Sequence, residues 1–313
     1  MLFQLEPLRF SFVAQDSIHF PEGKSANILR GAFGEIFRRF ACLPHCSSAA
    51  SGNHRAACPY ARLFEPAALG EGPSGFADWP RPFVFRAIHL DGRTFAPGQP
   101  FHFDLNLFET AQQTISYLVL TFAQLARYGL GARRSKVELV RVEKLNEAAE
   151  PSALLYANSL IHAKSDVPPL TLDLLPNGPP VSRLRVRFVT PTELKSGQQI
   201  AQRPEFAILA ARARDRISTL RELYGTGPLA IDFREFGERA SLVKITRCEI
   251  TTLDIQRRSS RTGQVHSIGG FIGEAEYAGD LTEFVPYLRA AKWTGVGRQT
   301  VWGKGEIAVQ NLN

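Results

Sequence analysis

Near its C-terminus the chain carries GVGRQTVWGKG, Gly295 to Gly305, in which two G-x-G units flank five residues. Gly295, Gly297, Gly303 and Gly305 let backbone N–H groups approach a phosphate closely, and the interleaved Arg298 and Lys304 add positive charge. The segment is neither a Walker loop nor a dinucleotide fingerprint. It lacks the Lys-Ser/Thr pair, and it precedes the last expected strand where a dinucleotide turn would follow the first. A glycine-rich turn before a strand has the same appearance.

Seven histidines are the candidates for proton transfer near neutral pH. His19 lies in the segment entering the first expected helix, close to Lys24, and His45 follows that helix directly. His54 sits in an irregular insertion, His89 and His102 in expected strands, His162 in a proline-rich stretch and His266 at the head of a strand. A surface histidine without a role is the plain alternative for each. Cys42, Cys46 and Cys58 read C-x3-C-x11-C with His45 and His54 between them. Three thiolates and one imidazole suit a tetrahedral structural zinc, although the x3 gap is wide for a knuckle. A metal-bound His45 would be lost to proton transfer, so the two roles compete. Packed or free cysteines are the alternative, and zinc below a tenth of an equivalent in purified protein would decide for it.

The charge points to a polyanion. Lys and Arg number 37 against 30 acidic residues, and 29 of the 37 are Arg, whose planar fork binds phosphate in bidentate fashion. Residues 1–150 carry a balance of +2 and residues 151–313 one of +5. Clusters that suit RNA phosphates are Arg257, Arg258 and Arg261 at a hairpin tip and Arg133 and Arg134 after a glycine turn. Lys195, Lys292, Arg298 and Lys304 join them. Arg212, Arg214, Arg216 and Arg221 share a helix with Asp215 and Glu222, where pairing within the helix competes. A hydrophobic fraction of 44% excludes wholesale disorder. No apolar run approaches a membrane span, and MLFQLEPLRFSF lacks signal-peptide anatomy. With four cysteines, a reduced, cytoplasmic protein is expected.

The elements that must position these residues repeat. Leu2–Ala14 reads as a strand, Ser25–Phe40 as a helix with Ser25 as N-cap, and Pro82–Leu90 and Pro100–Leu107 as strands. Ala111–Tyr128 reads as a helix and Lys136–Leu145 as a strand. Residues 41–80 form the insertion. After a proline-rich stretch at 150–180 that reads as a linker plus edge segments, Arg183–Val189 predicts a strand with a basic outer face. Pro204–Tyr224 follows as a helix, and Val243–Gln256 and Val265–Tyr277 as a hairpin. Asp280–Ala291 reads as a helix and Val301–Val309 as a last strand. The α+β order is βαββαβ twice, which is the ferredoxin-like (RRM-like) arrangement, with domains at 1–150 and 151–313. One large α+β domain is the alternative.

With that order in hand, the glycine loop resembles the hallmark of the CRISPR-associated endoribonucleases that process precursor repeat RNA, within the RAMP superfamily. LRGAFG at Leu29–Gly34, YARLFEP at Tyr60–Pro66 and GLGARR at Gly129–Arg134 are similar to segments of that family. So are VTPTELK at Val189–Lys195 and GGFIGEAEYAGDL at Gly269–Leu281. The resemblance implies two ferredoxin-like domains and a metal-independent cut in CRISPR repeat RNA. The 2′-hydroxyl would attack the adjacent phosphate, leaving a cyclic phosphate and a 5′-hydroxyl. It implies a histidine near the first helix, with His45 ranking first and His19 second, helped by Lys24 or a similar group, and no cofactor for catalysis. The rival is a RAMP protein that binds guide RNA without cutting, as a subunit of a CRISPR effector complex. A zinc-stabilised regulator that prefers DNA is a third reading. Association with other CRISPR subunits or as a homodimer stays open.

Overall fold

The alternation that begins at Leu2 builds one long strand, β1 (Leu2–Ala14), with Phe10 and Phe12 fully buried and Arg9 and Ser11 turned the other way. A computed structural model describes residues 1–41, 58–66, 79–131, 133–162, 167–258 and 265–312. They form two compact units, residues 4–170, and residues 171–313 together with residues 1–3. In the first unit β2 (Phe83–Arg86), β3 (Pro100–Leu107) and β4 (Val137–Leu145) join β1 in the order β2-β3-β1-β4, each neighbouring pair antiparallel.

Helices α1 (Ser25–Ala41), α2 (Pro59–Phe64) and α3 (Gln112–Tyr128) belong to this unit, and α1 and α3 pack together. The core is a phenylalanine cluster. Phe33 of α1 stacks on Phe122 of α3 at 5.2 Å and meets Phe83 of β2 edge-on at 5.7 Å, while Phe10 lies 4.5 Å from Phe122. Full burial of one such ring stabilises by about 1.5–3 kcal/mol, so these rings fix the helix against the sheet.

Several sequence expectations change here. Ser25 is the first helical residue and not the cap. Its backbone N–H donates to Asp91 Oδ1 at 3.0 Å, and its hydroxyl also reaches Asp91 and the Ala87 carbonyl. An acceptor far along the chain therefore does the work a local side chain was expected to do. Phe40, the last residue of the expected helix, is 51% exposed despite its apolar ring. The stretch after residue 150, by contrast, supplies an edge segment of the expected kind. Strand β5 (Pro151–Ala157) pairs with β4 and then with Leu160–Ile161. Pro151 begins an added strand, where its missing N–H breaks no ladder, and Leu155 and Tyr156 are buried.

The second unit repeats the first. β6 (Arg183–Thr192), β7 (Lys244–Leu253), β8 (Gly270–Ala278) and β9 (Ile307–Asn311) adopt the order β7-β8-β6-β9, again all antiparallel. In both sheets the sequence of places is second, third, first, fourth, so the chain holds two tandem ferredoxin-like domains. Leu184, Val186 and Phe188 of β6 are buried, as are Leu209, Ala213 and Ile217 of α4 (Phe206–Tyr224). Helix α5 (Phe233–Leu242) escaped the sequence reading, although Asp232 with Glu235 is a cap signature. Asp232 accepts from the N–H groups of Arg234 and Glu235 at 2.8 and 2.9 Å. Helix α6 (Val285–Thr294) begins five residues later than expected, and a short turn at Thr300–Trp302 pushes the last strand to Ile307.

On the helix-free face of the first sheet His102 stacks on His89 with ring centroids 4.6 Å apart, and a His89 ring nitrogen lies 2.8 Å from the His102 carbonyl. Burial first, then the neighbouring His89 and Arg9, lower the His102 pKa. A histidine whose folded pKa is depressed stabilises the fold above its ordinary value, and that stability is lost as pH falls through the folded value. His102→Gln is therefore expected to flatten the loss of stability between about pH 7 and pH 5, read as denaturant midpoints. An unchanged pH profile would show that His102 does not carry it.

Candidate nucleic-acid interface

The glycine loop leaves the end of α6 and lies against the end of β6. Arg298 N donates to Glu193 O at 3.0 Å, Gly305 N to Pro191 O at 3.0 Å and Val296 N to Gly305 O at 2.8 Å. Gly297 has φ 78° and Gly305 φ 70°, in the left-handed region. A Cβ on Gly297 would overlap the Glu193 carbonyl, and one on Gly305 the Val296 carbonyl. These two glycines therefore serve the close approach of the chain to itself, and the amides of Val296, Arg298 and Gly305 are spent inside the loop and its seat.

The cations around the loop fall into distinct situations. Arg298 is half exposed, with Nη1 on Glu193 Oε1 at 2.5 Å. Lys304 is buried at 4% exposure, so solvent reaches Arg298 and the exposed Lys292 but not Lys304. Lys292 Nζ lies 4.9 Å from the centre of the Trp293 ring. Lys195 opens a small hairpin, Lys195–Ser196 with Gln199–Ile200, directly after the segment that seats the loop. Gln299, left-handed at φ 64°, donates from Nε2 to Ser267 O at 2.6 Å. Ser267 belongs to the strand Val265–Ser267, paired with Gln256–Arg258 so that Arg257 opposes His266 and Arg258 opposes Val265. The loop and the root of the arginine hairpin are thus joined at one end of this unit. Arg261 lies outside the described residues.

Other basic side chains are engaged elsewhere. Arg212 and Arg214 pair with Asp215 at 2.8 and 2.6 Å, and Arg216 Nε donates to Thr294 O at 2.7 Å. The outer face of β6 is not simply basic. Arg185 meets Glu276 at 2.7 Å and Glu274 at 3.6 Å, and Arg183 meets Glu276 at 3.6 Å. The Arg185 guanidinium, then that of Arg247, holds the Glu276 carboxyl below the usual carboxylate range. Neither Glu193 nor Glu276 was singled out in the sequence, because ion pairs 105 and 91 residues apart leave no local signature.

In the first unit His19 ends the short strand Ile18–His19 and is exposed, its Nδ1 2.9 Å from Thr94 Oγ1. Lys24 is exposed immediately before α1. Arg133 and Arg134 are exposed in the tight turn closed by Leu130 and Ser135, and Arg134 reaches Glu35 at 3.2 Å. His45, Cys42, Cys46 and His54 lie outside the described residues. Cys58 is 1% exposed, with its Sγ donating to the Ala41 carbonyl at 3.6 Å. Among the described residues no group of three His, Cys, Asp or Glu side chains is placed to hold a metal, and no helix is long and apolar enough to cross a membrane.

Residues 186–307, which run from β6 through the hairpin arginines to the glycine loop, match the family of CRISPR-associated endoribonuclease Cas6. This segment belongs to the Cas6 family. A second family model, described as an N-terminal domain, matches residues 3–166. No curated protein matches the chain. Among solved structures, the Thermus thermophilus Cas6 TTHB231 in a product complex is similar at a TM-score of 0.57 and 15% identity, covering 98% of this chain and 99% of that one. A product complex of Cas6 TTHA0078 gives 0.52 at 18% identity, covering 99% and 100%. A partial Cas6-RT-Cas1–Cas2 complex gives 0.55 at 11% identity, covering 98% of this chain and 46% of that one. At such identities these structures speak for the fold, and the match over 186–307 carries the family. The matched family is one of RNA-cleaving, CRISPR-associated enzymes, and the matched segment holds both the hairpin arginines and the glycine loop.

Proposed function

We propose that this protein cuts CRISPR repeat precursor RNA without a metal. The ribose 2′-hydroxyl attacks the adjacent phosphorus, the P–O5′ bond breaks, and the products are a 2′,3′-cyclic phosphate and a free 5′-hydroxyl. A general base takes the 2′-hydroxyl proton and a general acid gives one to the departing 5′-oxygen. His45 and His19 are the candidates for those roles, with Lys24 as a cation for the charge that builds on the phosphorane. Arg133, Arg134, Lys195, Arg257, Arg258, Arg261, Lys292 and Arg298 are the candidate phosphate contacts, and Lys304 would need the loop to open. The observation that carries the reading is the Cas6 family match over the segment that holds both hairpin and loop.

Purified protein incubated with repeat RNA in EDTA is expected to cut at the rate seen with magnesium and to leave ends resistant to polynucleotide ligation until the cyclic phosphate is opened. RNA that is retained but intact would favour the non-cutting guide-RNA-binding subunit instead. The similar Cas6 chain in a Cas6-RT-Cas1–Cas2 complex supports the idea that other CRISPR proteins are partners. A structural zinc on Cys42, Cys46 and Cys58 meets one contrary observation, since a zinc thiolate would give up the S–H contact of Cys58 with Ala41. No catalytic step is routed through it.

A further inference from the structure

The open faces of the two sheets carry the same row of charges. In the first, residues in register across four strands are Arg86, Asp104, Arg9 and Glu143. In the second they are Arg247, Glu276, Arg185 and Gln310. The places correspond strand for strand: an arginine on the second strand, a carboxylate on the third, an arginine on the first. In the first sheet Arg9 closes on Asp104 through two hydrogen bonds at 2.7 and 2.9 Å, and two positive groups face two negative ones.

The second sheet lacks that balance. Its fourth place is the neutral Gln310, and Arg183 adds a further cation, so Glu276 meets Arg185 at 2.7 Å and Arg183 at 3.6 Å; Arg247, 3.8 Å away, is held closer by Glu249 at 2.8 Å, and Arg185 also reaches Glu274 at 3.6 Å. Glu276 itself is buried at 8% exposure, whereas the side chains of Arg183 and Arg247 are more than half exposed. Ion pairs exposed on one side contribute little to stability. They do decide what a surface of arginines binds, because a guanidinium fork engaged by a carboxylate has fewer donors left for a phosphate. Arg183 and Arg185 stand two residues apart on the same face of β6, so with their shared carboxylate neutral they would form an RNA-binding patch without sequence preference.

We infer that Glu276 is a specificity-determining residue, which masks Arg183 and Arg185 so that RNA phosphates are refused on the sheet face and engage the glycine-loop end. The inference rests on the RNA reading above but is tested with RNA that is not a repeat. Glu276→Gln is expected to bind single-stranded poly(U) about tenfold tighter at low salt. Its plot of log affinity against log salt should steepen by about one to two, at roughly 0.7 per phosphate. Gln310→Glu supplies the acid that the first sheet has at that place. It is expected to weaken poly(U) binding about two- to threefold while repeat RNA is cut as before. A folded Glu276→Gln protein with unchanged affinity and salt slope overturns the inference. Should that variant melt early, an unchanged affinity in Gln310→Glu overturns it alone. A wild-type protein inert on repeat RNA would count against the nuclease reading only, since poly(U) binding reads the mask independently.

Discussion

Replacing His19 and His45 by alanine, one at a time, is expected to lower single-turnover cleavage of repeat RNA by about a hundredfold or more for at least one of the two. RNA affinity should change by less than about threefold, because a proton-transfer group contributes to the transition state and hardly to the bound ground state. His19 stands on exposed backbone with one ring nitrogen near Thr94 Oγ1, which leaves the other nitrogen open. Lys24→Ala is expected to show a smaller loss of rate. The pH profile adds an independent readout, since loss of a histidine base removes the acidic limb of the rate curve. Wild-type cleavage by both histidine variants would remove the first-helix site from the mechanism.

Gly305→Ala carries the second large effect. Its φ of 70° and the overlap of a new Cβ with the Val296 carbonyl make the native loop unavailable to alanine. The left-handed backbone costs about 1–2 kcal/mol and the clash adds to it, so a destabilisation of about 2–4 kcal/mol is expected by denaturant titration. RNA binding should fall with it, because the loop that anchors Gln299 to Ser267 is rebuilt. Gly31→Ala is the control. Gly31 lies in α1 with open space around it, and alanine there is expected to be neutral or to stabilise by up to about 1 kcal/mol. Equal losses in the two variants would show that loop geometry is not the cause.

What the sequence disclosed follows from the range of each interaction. Alternation around Phe10 and Phe12 and the apolar spacing of Leu29, Phe33, Ile36 and Phe37 are local, so β1 and α1 were legible almost to the residue. The double βαββαβ order was legible for the same reason. Partnerships across the chain were not. Asp91 capping α1, Glu193 holding Arg298 and Glu276 gathering Arg183 and Arg185 all depend on register. The glycines of 295–305 were visible as a motif, but the sequence left two reasons open for them. Gly297 and Gly305 are required by the chain's own carbonyls, which spacing does not encode. Helix α5 was missed because it is short and rich in charge, with Phe236 and Ala240 as its buried residues.

The turn at Asp91–Thr94 holds the segment before α1 from both sides. Phe20 N donates to Arg93 O, Gly92 N donates to Phe20 O, His19 meets Thr94, and Ser25 is tied to Asp91. A segment fastened in this way has already given up its conformational freedom during folding, at about 1–2 kcal/mol for each backbone residue fixed. RNA that meets it therefore orders little further chain there, and more of the contact free energy appears as affinity. The same fastening makes the helix start a product of long-range closure. A peptide spanning residues 15–41 alone lacks Asp91 and Thr94, and would leave the beginning of α1 frayed.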